Sequence, residues 1–125
     1  MDLDGLIKIA VDRTPTQAEV EGLATAERQP VQEVLDRFAR CVSERYLDGL
    51  YSFGDADMAM NNLFAWGIAV TGSGLPEFAS KVFEAFDAGE FARPGTSQDQ
   101  QGEALTRTLL SGCLRRDRIA LVGED

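Results

Sequence analysis

The stretch "PVQEVLDRFARCVSERYL", residues 30–47, decides the fold. Val31, Val34, Leu35, Phe38, Cys41, Val42 and Tyr46 recur at steps of three and four, and Leu50 continues the series. Glu33, Asp36, Arg37, Arg40 and Glu44 fall mainly on the other side. A one-sided period near 3.6 residues belongs to a helix with one face in a core. We read a helix from 30 to about 48. It ends near "DGLYSFGD", where Gly49 can take a left-handed conformation and Ser52 to Asp55 form a turn.

The neighbouring segments follow the same period. Downstream, Asp55 can cap a helix whose inner face is Ala59, Met60, Leu63, Phe64, Gly67 and Val70, until Gly72, Ser73 and Gly74 break it. Leu75 and Pro76 open another helix with Phe78, Ala79, Val82, Phe83 and Phe86 inward, and Gly89 is read as its end. "FARPGTS", residues 91–97, is read as a loop. Ser97 caps a last helix to about Leu114 that carries Ala104, Leu105, Thr108, Leu109 and Leu110; the tail adds a further turn or a short strand at "IALV". Upstream, Thr14 is the expected N-cap of a helix starting at Pro15 and running to about Glu27. "DLDGLIKIAVDR" has helical spacing at Leu3, Leu6, Ile7 and Ala10, with a strand as the alternative given its β-branched residues and Gly5. The fold expected is all-α: a compact single domain, residues 1–125, of five to six short helices, with Trp66 in its core.

Composition narrows the function. A chain of 125 residues with 44% apolar content can bury a core without disulfides or a structural metal. The net charge of −9 argues against nucleic-acid or anionic-membrane partners, since phosphate would be repelled, and favours a basic protein. No apolar run reaches the roughly 20 residues that span a bilayer, and the N-terminus opens acidic where a signal peptide opens basic, so the chain reads as cytoplasmic. Cys41 and Cys113 lie far apart outside any CxxC or Cys/His cluster and read as core thiols.

Most site chemistries lack their residues. The absence of histidine removes the commonest general base and zinc ligand, and with it the Glu-x-x-His pairs of a di-metal bundle. "DADMAMNN" begins like a calcium loop, but Ala59, Met60 and Trp66 stand at the fifth, glycine and closing-carboxylate positions. "TGSGLP" lacks the lysine of a phosphate loop. Arg115 and Arg116 stand near Cys113, but they equally suit a helix C-terminus. Neither metal nor cofactor nor enzymatic activity is expected.

The charge pattern is more informative. Between residues 54 and 90, Asp55, Asp57, Glu77, Glu84, Asp87 and Glu90 face one basic residue, Lys81. Glu84, Asp87 and Glu90 recur at three-residue steps, close to one helix face, where like charges repel unless a basic group offsets them. A solvated face opposite a phenylalanine core explains this pattern; a surface for a basic partner explains it as well.

"YLDGLYSFGDADMAMNNLFAW" (46–66) followed by "LPEFASKVFEAFDAGEF" (75–91) resembles the small immunity proteins that protect bacteria from colicin-type and contact-dependent growth-inhibition toxins. The resemblance spans about residues 46–91 and rests on Tyr46, Gly49, Ser52, Phe53, Asn61, Leu63, Pro76, Phe78, Phe86, Asp87, Gly89 and Glu90. It implies one-to-one inhibition of a toxin C-terminal domain, usually a nuclease, whose basic cleft is met by an acidic surface. Asp55, Asp57, Asn61, Asn62, Glu84, Asp87 and Glu90 are then the candidate partner-binding residues. An acidic helical adaptor or nucleic-acid mimic that binds a basic host protein is the competing reading.

Overall fold

The computed structural model describes residues 1–72, 74–91 and 99–122. Among these it contains six helices: α1 (Leu3–Asp12), α2 (Gln17–Glu27), α3 (Val31–Leu47), α4 (Phe53–Thr71), α5 (Glu77–Phe91) and α6 (Asp99–Val122). The fold is all-α, as the periodicity indicates. The first segment is helix rather than strand, and the tail continues α6 through Val122 rather than forming a strand at 119–122. Ser97 and residues 92–97 of the expected loop, like Ser73, lie outside the described residues.

Two helices start at a different cap from the one expected. Thr16, not Thr14, caps α2: its hydroxyl accepts the Glu19 N–H at 3.1 Å and the Glu19 carboxylate accepts the Thr16 N–H at 2.8 Å. This reciprocal pair satisfies two donors at once. Likewise Ser52, not Asp55, caps α4, accepting the Asp55 N–H at 3.1 Å. Asp55 is thereby left in the first turn, exposed, where its charge suits the helix dipole. The α3 terminus is as expected: Gly49 has φ 82°, and Leu50 N–H returns to the Arg45 carbonyl.

Glu19 gives the fold an acid-sensitive element. Its hydrogen bonds from Arg13, then from the Thr16 backbone, hold its carboxyl at about 2, against a usual value of 4.5. A carboxylate depressed in the folded state stabilises above its unfolded value and loses that contribution as pH falls through the folded one. We therefore expect the stability gap between the parent and Glu19→Gln to be full above pH 4.5 and to close towards pH 2. Chemical denaturation at several pH values checks this; a gap that persists at pH 2 contradicts the assignment.

The central element is α3, which touches each of the other five helices. Its Phe38, Val34, Val42 and Tyr46 are buried, whereas Leu50, past the helix end, is exposed. Tyr46 sits edge-on to Phe53 of α4 and Phe86 of α5, with centroids 6.0 and 5.4 Å away. Asp36 of α3 accepts the Ala79 N–H at 3.1 Å, closing the start of α5 from a neighbouring helix. Burial pushes the Asp36 carboxyl up, against the effect of that bond. Trp66 is in the core, as expected.

Against expectation, Gly89 lies inside α5 rather than ending it. A Cβ there would stand 2.1 Å from Thr106 Oγ1 and 2.9 Å from the Gly102 carbonyl oxygen, both on α6. Buried Thr106 donates its hydroxyl to the Ala85 carbonyl at 2.8 Å. The inner face of α6 is thus Gly102, Thr106, Leu110 and Cys113, while Ala104, Leu105, Thr108 and Leu109 are exposed. Close approach at Gly89 selects small residues and a satisfied hydroxyl over larger apolar side chains.

Candidate protein-binding site

The uneven solvent side of α4 organises the site. After Asp57 the chain carries no charged residue until Glu77, so the exposed positions of α4 beyond its first turn are Met58, Ala65, Ile68, Ala69 and others without charge. A solvent-facing helix side normally carries charges. Asp57, Asn61, Phe64 and Ile68 follow one another at four, three and four residues along the flank that meets α5. On α5, Phe83, Asp87 and Glu90 take the same spacing.

The contacts bring these two rows together. Asn61 Nδ2 donates to Asp57 Oδ2 at 3.4 Å and to Glu90 Oε2 at 3.3 Å, joining two carboxylates from different helices through one amide. One turn on, the half-buried rings of Phe64 and Phe83 stack 4.2 Å apart at 8°. Asp87 lies one helical turn from Phe83 on the same flank. None of Asp55, Asp87, Glu90 or Glu84 forms an ion pair among the described residues. The pairs there use Glu19, Glu27, Asp117, Asp4 and Glu103 instead.

Two candidates are placed elsewhere. Asn62 turns to the opposite flank of α4, donating to the Ala10 carbonyl at 2.6 Å and accepting from Thr14 at 3.5 Å. It satisfies the C-terminal end of α1. Glu84 lies on the far flank of α5 with Lys81, Ala88, Leu109 and Arg116, along a groove against α6. Each three-residue step turns a helix back by about 60°, so Glu84 and Glu90 end about 120° apart.

That groove holds two adjoining hollows of about 280 and 310 Å³, with buried Cys113 on its floor and Phe78 and Asp117 at one end. Arg116 Nη2 lies 3.8 Å from Cys113 Sγ. Burial pushes the Cys41 thiol up, as suits an unreactive core cysteine. Both cysteines are free. Among the described residues, no group of three or more His, Cys, Asp or Glu side chains is placed to hold a metal ion, and no helix is long and apolar enough to cross a membrane.

The apolar spacing put Phe64, Val70 and Phe83 on inner faces and passed over Ile68; Val70 is exposed and the two phenylalanines are half-buried. The signal was present: a 19-residue uncharged run from Met58 to Pro76 that includes the solvent side of a helix. Comparison with protein-family models, curated proteins and solved structures finds no match to the chain.

Proposed function

We propose that this protein is an immunity-type inhibitor that binds a basic toxin domain, most readily a nuclease, one to one, and acts by occupying its surface rather than by turnover. The observation that carries this reading is the junction of α4 and α5. There the hydrogen-bonded group Asp57, Asn61 and Glu90 lies one turn from a half-buried phenylalanine stack, Asp87 follows Phe83 by one turn of α5, and Asp87 and Glu90 have no cationic partner among the described residues. Unneutralised acids next to apolar side chains provide the two parts of a steered interface: long-range attraction that speeds encounter and a desolvated anchor that slows release. The resemblance of residues 46–91 to immunity proteins covers both of these helices.

The test is co-expression with the C-terminal domain of the protein encoded by the adjoining upstream gene, which the proposal requires to be toxic on its own. Rescue of growth and recovery of a one-to-one complex support the proposal. In that complex, the double reversal Asp87→Lys/Glu90→Lys is expected to weaken binding at least tenfold, and Glu84→Lys, on the far flank, much less. Equal losses from both would move the interface off the α4–α5 flank. Rescue without a complex would sink the inhibitor reading.

A further inference from the structure

The acids describe only the rim of this surface. Beside them, the outer side of α4 exposes Met58 and Ile68, each to nearly half of its possible area, with Ala65 and Ala69 also exposed between and beyond them. From Met58 to Ala69 this strip runs about 17 Å, three helical turns. It is uncharged throughout and bordered on the α5 side by the Phe64–Phe83 stack. Asp55 and Asp57 stand at its N-terminal end, with Glu90 tied to Asp57 through Asn61. Neither α4 nor the α5 segment from Val82 to Phe91 contains a Lys or Arg.

We infer that this strip is the seat of a cationic amphipathic helix presented by the partner protein, with its apolar side on Met58, Ala65, Ile68 and Ala69 and its basic side chains towards Asp87 and Glu90. The inference rests on the reading that the chain binds a basic protein, and it moves the centre of contact from the acids to the apolar strip. The charge distribution selects the occupant. Small residues at 65 and 69 allow a second helix to approach to the usual 8–10 Å between axes. The acids at one end then favour a segment that is basic as well as apolar. A second copy of this chain would bring the same acidic rim to the contact, with no Lys or Arg on its own α4 or on Val82–Phe91 to meet it.

The experiment titrates the full chain with two synthetic 18-residue peptides of identical Leu and Lys content, one patterned as an amphipathic helix and one scrambled. Binding is followed by calorimetry and amide shifts. The patterned peptide is expected to bind at least tenfold more tightly, with shifts concentrated at residues 54–72 and 80–91. Ile68→Ser and Met58→Ser, both on exposed positions, should remove that advantage while leaving thermal unfolding unchanged. Equal affinity for the two peptides overturns the inference, as do shifts centred on the acids of α3. Sedimentation showing a dimer of the parent that Ile68→Ser makes monomeric overturns it as well. Toxin co-purification addresses the inhibitor reading separately: a complex that forms undiminished with Ile68→Ser leaves that reading intact and removes the strip from it.

Discussion

Phe86→Ala is expected to lower the unfolding free energy by about 3–5 kcal/mol, a large part of the stability of a domain this size. Phe86 is fully buried and its ring meets both Tyr46 and Phe53, at 5.4 and 5.8 Å between centroids. The three rings join α3, α4 and α5, so truncating the middle one removes apolar contact and opens a cavity among three helices that cannot all close on it. At about 4 °C per kcal/mol, the melting temperature should fall by roughly 12–20 °C. Thermal unfolding followed by circular dichroism reads the change. A loss below about 1 kcal/mol would mean that the three-ring junction does not hold these helices together.

Gly89→Ala is expected to be the second damaging change, although alanine is the better helix former by about 1 kcal/mol. The added methyl meets Thr106 Oγ1 and the Gly102 carbonyl oxygen well inside contact distance. The hydroxyl can swing away at the loss of its bond to Ala85, but the carbonyl belongs to the α6 backbone and moves only with the helix. Overpacking of this kind costs about 1–3 kcal/mol, so the net result is destabilisation. Gly22 in α2 is the internal comparison: a Cβ there meets nothing within 4 Å, and Gly22→Ala should stabilise by up to about 1 kcal/mol. Opposite signs for the two substitutions in denaturant unfolding support the packing; a stabilising Gly89→Ala would contradict the α5–α6 crossing.

These two positions mark the limits of what the sequence tells. Phe86 was legible because an apolar residue repeating with Ala79, Val82 and Phe83 announces an inner face from local spacing alone. Gly89 was not, because a glycine near the end of an apolar repeat looks the same whether it terminates the helix or admits a neighbour. Only the approach of α6 distinguishes them. The caps failed in a narrower way: Thr14 and Thr16, or Ser52 and Asp55, are each able to cap, and only the hydrogen bonds formed in the folded chain distinguish them. The inner face of α6 was hidden for the same reason as Gly89, since Thr106 becomes a core residue only once the Ala85 carbonyl is beside it.

The site was legible in its membership more than in its arrangement. Asp57, Asn61 and Glu90, each a candidate from the sequence, are brought together by hydrogen bonds between α4 and α5 that no local spacing announces. Glu84 and Asn62 are not: a three-residue spacing is close enough to a helical turn to look like one face and far enough from it to drift across two. Asn62 shows a second limit. Its amide is taken up by the end of α1, a pairing across 52 residues that no local pattern announces.

The most direct test of the account is calorimetry of this protein with the C-terminal domain of the protein encoded by the adjoining upstream gene, across a salt series, comparing the parent with Asp87→Lys/Glu90→Lys. The account predicts tight one-to-one binding by the parent that weakens steadily as salt rises, and a double variant that binds more weakly and responds much less to salt. Binding of equal strength and equal salt dependence in the two proteins would contradict a partner seated on the α4–α5 flank.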